Sequence, residues 1–160
     1  MPAKNIRKAV LGDVKDIAAL IAAFAKKGDM LPRPLTEIYT TIRDFVVYVE
    51  DGVILGVCAL HVSWEDIAEV RSLAVDDTVS SKGVGAELVA RCLEDARPLG
   101  VRKVFALTYK TEFFERLGFY QVDKDILPQK IWSDCVKCMK FPNCDENAVI
   151  IELKEVKTDG

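Results

Sequence analysis

An α/β domain on a mixed sheet is the fold this sequence predicts, and three features predict it. Strand-like runs alternate with stretches of helical periodicity. The connections between strands include both tight turns and a crossover long enough to carry a helix. Finally, 160 residues, half of them apolar, are enough for one buried core, so one domain over 1–160 is expected.

Each element follows from local chemistry. Lys4–Leu11 is a β-prone run that stops at Gly12-Asp13. Asp13 has the character of an N-cap, with Asp16 standing where a capping box has its Glu. Val14, Ile17, Ala18, Ile21 and Phe24 then recur at helical spacing, and Gly28 after Lys26-Lys27 is a C-terminal stop. Met30-Leu-Pro-Arg-Pro34 cannot be helical through its prolines and reads as an exposed elbow. Thr36–Asp44 predicts a second helix, with Ile38 and Ile42 on one face. Phe45–Val49 is β-branched and aromatic, Glu50-Asp51-Gly52 is a hairpin turn, and Val53–Trp64 is the returning strand. A turn at Glu65-Asp66 leads to a third strand, Ile67–Val75, which completes a meander. Asp76–Lys82 is polar, Gly83-Val84-Gly85 follows, and Ala86–Arg97 is a helix ended by Pro98-Leu-Gly100. Arg102–Thr108 predicts a buried strand, Thr111–Leu117 a short helix stopped by Gly118, and Phe119–Val122 a strand. Leu127–Glu146 is irregular and Cys-rich, and Ala148–Glu155 is the final strand.

Charge and composition exclude several function classes. Lys plus Arg number 22 and Asp plus Glu 25, a net charge of −3 that disfavours nucleic acid or anionic lipid as the main partner. The apolar run Ile17–Ala25 is far short of the ~20 residues that span a bilayer. The opening Met-Pro-Ala-Lys-Asn lacks the apolar stretch of a secretion signal, so a cytoplasmic location is expected. Five cysteines, an odd number, then favour free thiols or a metal site over a disulfide framework.

The most informative local signal is strand, polar loop, Gly-x-Gly, helix: Ser72-Leu-Ala-Val75, then Ser80-Ser81-Lys82-Gly83-Val84-Gly85-Ala86. Glycines at a helix start let backbone N–H groups converge on an anion, and the helix dipole adds positive potential there. Lys82 supplies a mobile cation, so a pyrophosphate is the natural guest. The loop has neither the second half of a dinucleotide-binding fingerprint nor the Gly-Lys-Ser/Thr of a P-loop, which disfavours NAD and ATP. The bland alternative is that these are structural loop glycines.

With these motifs in place, the chain resembles the GNAT superfamily of acetyl-CoA-dependent N-acetyltransferases. The likeness rests on Leu73-Ala-Val75, Lys82-Gly83-Val84-Gly85-Ala86 and Phe113-Phe-Glu-Arg-Leu-Gly-Phe119. It implies a mostly antiparallel central sheet flanked by helices. It also implies that Leu73, Ala74, Val75 and the loop from Ser80 through Ala86 hold coenzyme A. Ser80 stands where the family usually has Arg or Gln, and Phe114 where many members have the Tyr that protonates the leaving thiolate. Thr108 or Tyr109 would then be the general acid. Within the superfamily the chain is most similar to the acetyltransferase domain of the bacterial N-acetylglutamate synthases. Leu31-Pro-Arg33, Ile67-Ala-Glu69-Val-Arg-Ser-Leu-Ala-Val75, Phe105-Ala-Leu-Thr108 and Leu127-Pro128 carry that likeness. The kinase-like domain usually fused ahead of it is not part of this sequence.

That resemblance implies a reaction. An amine attacks a thioester only when neutral, so a base must remove a proton from the ammonium group. Glu69, on the strand beside the expected pantetheine and among apolar neighbours that raise a carboxyl's basicity, matches the family's glutamate base; alternatively, it pairs with Arg71. Arg33 matches an arginine that grips a substrate carboxylate, and Arg71 and Ser72 are counted with it on the substrate side. Lys130, Lys137 and Lys140 lie where the synthases have a second basic anchor. The implied reaction is acetyl transfer to the α-amine of a small acidic amino acid, L-glutamate first, with amino acid and coenzyme A as partners. A different amine acceptor (a polyamine or peptide N-terminus) and a non-turning-over CoA or thiol-metal sensor are the alternatives.

Cys135-Val-Lys-Cys138 followed by Cys144 could converge on one zinc ion, with Asp134, Asp145 or His61 as fourth ligand, or simply pack their loop. Cys58 and Cys92 fall in a strand and a helix, where core packing is expected. His61 alternates within a strand, and without Gly-x-Ser-x-Gly it does not suggest a hydrolase triad. Trp64 and Trp132 are not interleaved with basic residues as in nucleic-acid binding. A sheet edge or the last strand is available for a homodimer.

Overall fold

In the structure, a computed structural model that describes residues 5–127 and 146–154, seven strands form one sheet in the order β1-β2-β3-β4-β5-β7-β6. The strands are β1 (Ile6–Lys8), β2 (Phe45–Glu50), β3 (Val53–Val62), β4 (Ile67–Val75), β5 (Lys103–Thr108), β6 (Tyr120–Val122) and β7 (Asn147–Glu152). The helices are α1 (Val14–Lys26), α2 (Leu35–Thr40), α3 (Val84–Ala96) and α4 (Thr111–Arg116). The β1–β2, β2–β3, β5–β7 and β6–β7 pairs are antiparallel, and β4–β5 is parallel. The mixed, mostly antiparallel α/β sheet is therefore the one expected.

The backbone groups into two compact units, Met1–Leu60 with Val70–Glu94, and His61–Glu69 with Asp95–Gly160. In the first, Val14, Ile17 and Ile21 of α1, Ile38 of α2, and Val47 and Val57 of the β2–β3 hairpin share one apolar cluster. All six lie at 1% exposure or less, the outcome their helical and alternating spacing demands. The hairpin turns through Asp51 and Gly52, at φ 52° and 76°, the left-handed pair that matches strand twist. In the second unit, Ile67, Phe105, Ala148 and Ile150 gather with Leu127.

Several boundaries differ from the sequence expectation, each for a local reason. Asp13 does not cap α1. Its backbone is already helical and its carboxylate turns back to accept the Val10 N–H at 2.8 Å and both Arg7 nitrogens at 2.7 and 3.1 Å. It therefore closes the short 3-10 turn Leu11–Asp13 instead. The C-terminal stop of α1 is as expected: Gly28 N–H reaches Ala25 O at 3.0 Å and Asp29 N–H reaches Phe24 O at 3.2 Å, a Schellman closure. The predicted helix Thr36–Asp44 ends at Thr40, because Thr41 leaves helical geometry and Ile42–Asp44 continues as a 3-10 turn. Ile38 still packs in the core, with Ile42 partly buried against it. β1 ends at Lys8, opposite Val46 near the start of β2, and β7 ends at Glu152, opposite Lys103 at the start of β5.

Candidate active site

β4 brings most of the predicted residues together. Its burial alternates strictly from Glu69 to Val75, with Val70, Ser72 and Ala74 buried, and Glu69, Arg71, Leu73 and Val75 half-buried on the other face. The β4–β5 ladder pairs Ile67 with Lys103, Ala68 with Val104 and Glu69 with Phe105, and goes no further. Glu69 is thus the last rung, and β4 runs on through Val75 without a β5 partner. β5 keeps its full antiparallel ladder with β7, Lys103–Thr108 against Asn147–Glu152.

Beyond that rung Ser72 takes φ +58°, in the left-handed region that non-glycine residues rarely enter. This costs roughly 1–2 kcal/mol, and Val70 and Ala74 on either side are buried. Backbone strain of this kind concentrates where a chain must present a group in an unusual direction. No pattern in the sequence announces it, since serine is ordinary in a strand.

The loop after β4 is ordered by its own side chains. The Thr78 hydroxyl donates to the Asp76 carboxylate at 2.7 Å and its N–H at 3.0 Å, which together hold the Asp76 carboxyl below its ordinary range. Ser80 Oγ donates to Asp77 O at 3.2 Å, and Ser80–Lys82 forms a 3-10 turn. Gly83 then takes φ +79°, which a side chain would resist, although the space around it is open. The helix begins at Val84, not Ala86 as expected: Gly85 lies inside the first turn, and only Gly83 serves as the turning glycine. Glu87 N–H to Gly83 O, 3.1 Å, is a bond of that first turn. The N–H groups of the preceding residues therefore point out along the helix axis at the positive end of the dipole. Gly83 and Lys82 are exposed while Val84 and Leu88 are fully buried beneath them. These open amides, a glycine without a shielding side chain and a lysine suit a pyrophosphate, so the loop fits coenzyme A.

Arg33, Glu37 and Arg71 form a charged cluster. Glu37 Oε1 accepts Arg33 Nη1 at 2.9 Å and lies 3.8 Å from Arg71 Nη2. The Arg71 side chain is only 10% exposed, and Arg33 22%, so Arg33 is not simply solvated in the elbow. Arg71 engages Glu37. Glu37 escaped the sequence reading, although its position four residues after Arg33 is the spacing of a helical ion pair.

Of the other candidates, Thr108 is buried at the end of β5, its Oγ1 accepting the Lys110 N–H at 2.8 Å, which leaves the hydroxyl proton to donate elsewhere. Tyr109 is 41% exposed. Phe114 is buried edge-on between Phe113 and Phe119, with ring centres 5.1 Å apart in both pairs. Cys58 and Cys92 are buried as expected, and hydrogen bonding to Cys92 together with burial pushes the Cys58 thiol well up. Cys135, Cys138 and Cys144, with Lys130, Lys137 and Lys140, lie outside the described residues. Among the described residues, no three His, Cys, Asp or Glu could hold a metal ion, and no helix is long and apolar enough to cross a membrane.

Comparison with known proteins bears on this arrangement. The acetyltransferase (GNAT) family profile matches residues 19–119. An uncharacterized N-acetyltransferase of Chlorobaculum tepidum is 39% identical over 155 residues, covering 96% of this chain and 100% of its own. An amino-acid acetyltransferase of Mycobacterium tuberculosis is 37% identical over 121 residues, 74% of this chain and 69% of its own. Among solved structures, the N-acetylglutamate synthase of Neisseria gonorrhoeae, complexed with coenzyme A and N-acetyl-glutamate, superposes with a TM-score of 0.86 at 30% identity. That match covers 94% of this chain and 35% of the synthase, so the chain spans about a third of that protein.

Proposed function

The chain belongs to the acetyltransferase (GNAT) family and is an N-acetyltransferase with acetyl-CoA as co-substrate, and from that premise we propose that its acceptor is the α-amine of a small acidic amino acid, L-glutamate first. The product would be N-acetylglutamate, an entry compound of arginine biosynthesis, in keeping with the amino-acid acetyltransferase named among its relatives. One observation carries this reading: two guanidinium groups, those of Arg33 and Arg71, converge on a single carboxylate oxygen. A planar fork that accepts one carboxylate in this way is suited to another.

In the proposed reaction the backbone amides around Gly83, Val84, Gly85 and Ala86 receive the diphosphate, with Ser80, Ser81 and Lys82 at its rim. Leu73, Ala74 and Val75, beyond the last β4–β5 rung, line the pantetheine. Arg33 and Arg71 orient the acceptor, and Ser72, buried on the opposite face of β4 at a left-handed φ, shapes the strand beside them. Glu69 removes a proton from the ammonium group, directly or through water, and the nitrogen lone pair attacks the thioester carbonyl. The carbonyl electrons move to oxygen, where a β4 N–H near Val70 or Leu73 stabilises the charge. Collapse breaks the C–S bond, the nitrogen gives up its second proton to solvent, and the thiolate takes a proton from Thr108, Tyr109 or solvent.

Mass spectrometry of products after offering all twenty amino acids with acetyl-CoA tests the acceptor; acetylation confined to non-acidic acceptors would overturn it. Glu69→Gln tests the base. Its kcat should fall roughly 10²- to 10⁴-fold with coenzyme A affinity unchanged, and the loss should shrink as pH rises and neutral amine becomes available.

A further inference from the structure

We propose that Glu37 is a positioning residue for acceptor recognition, holding Arg33 and Arg71 as one carboxylate-binding array; this rests on the acidic acceptor proposed above. Arg33 stands between Pro32 and Pro34 in a segment without regular structure, and α2 begins two residues later. Without a tether its long side chain would sample many rotamers, and ordering it would weaken every encounter with an anion. Glu37, one helical turn on, supplies the tether at 2.9 Å and reaches toward Arg71 at 3.8 Å with the same oxygen. One side chain thus joins the elbow to β4.

Two guanidinium groups meet the Glu37 carboxylate in this array, and the Arg71 side chain carries its charge nine-tenths out of water. Glu37 itself is 35% exposed, and an exposed i,i+4 pair contributes little to stability, so its consequence is geometric. The sign of its removal separates two roles. If Glu37 only diluted the positive field, its loss would tighten an anionic acceptor. If it positions the arginines, its loss weakens that acceptor.

Initial rates for the full chain with L-glutamate and acetyl-CoA decide between them, measured for the wild type, Glu37→Gln and Glu37→Asp beside thermal unfolding. Glu37→Gln should raise the KM for glutamate about tenfold, with kcat, the KM for acetyl-CoA and Tm little changed. Glu37→Asp, which keeps the charge at shorter reach, should fall between it and wild type. A glutamate KM that is unchanged or lowered in Glu37→Gln overturns the proposal. So does a fall in Tm or a failure to fold, because the role would then be structural. If wild type acetylates glutamate and the variants match it, only the role of Glu37 fails. If wild type acetylates only non-acidic amines, the acceptor reading fails and this proposal with it.

Discussion

Ser72 shows how one residue can hold a conformation that its neighbours do not share. Its φ of +58° lies in a strand whose other described residues are extended, and it is buried at 9% exposure. Glycine ordinarily weakens a strand, but here it would relieve the left-handed strain. Ser72→Gly should therefore leave Tm unchanged or slightly higher, whereas Ser72→Val should lower stability by roughly 2 kcal/mol, since a β-branched residue resists positive φ most. Thermal or urea unfolding of the two variants checks this, and equal destabilisation by both would contradict the strained geometry. The sequence made Ser72 legible as a candidate only through family resemblance. Its backbone angle was not legible, because serine's own preference is not for a positive φ. Arg33 was legible through its proline-flanked motif, while Glu37 was missed although its i+4 spacing was in view.

At the level of elements, α3 and β3 meet at the closest packing the site depends on. A Cβ at Gly56 on β3 would stand 3.0 Å from Leu88 Cδ1 and 3.2 Å from both Val84 Cγ1 and Tyr48 Cβ. Val84 and Leu88 lie in the first two turns of α3, the turns that follow the Ser80–Lys82 turn and Gly83. Gly56→Ala should push α3 from its seat, costing about 1–3 kcal/mol and weakening coenzyme A binding together with stability. Calorimetric titration with coenzyme A and a melting curve test the linkage; a stable Gly56→Ala protein of normal affinity would refute it. The hairpin, α1 with its glycine stop and β4 were readable from periodicity and turn chemistry. The start of α3 was not. Gly85 looks like a loop glycine by type, yet the helix takes it in because Val84 is fully buried and anchors the first turn.

For the whole molecule, acid sensitivity has an identifiable source. Arg7, donating to the Asp13 carboxylate, holds that carboxyl below its ordinary value of 3.8 and raises its own pKa in turn. A carboxyl depressed in the folded state stabilises above its unfolded pKa, and this contribution is lost as pH falls through the lower folded value. Stability should therefore decline below about pH 4, within the ordinary carboxylate range. Asp13→Asn should cost about 1 kcal/mol near neutrality and flatten that decline. Unfolding free energies at pH 6 and pH 3 for both proteins measure it, and parallel pH dependence would show that other carboxyls dominate. What the amino-acid order determined alone was the set of elements, their sequence along the chain and the loop chemistry suited to a diphosphate. Those depend on periodicity, turn residues and glycine, all local properties. Only the tertiary structure decided where the β4–β5 ladder stops, that Ser72 turns left-handed beyond it, and that Arg71 meets Glu37. The ladder and the Arg71–Glu37 pair join residues far apart in the chain, and serine has no preference for a positive φ, so none of the three exists until the backbone has folded.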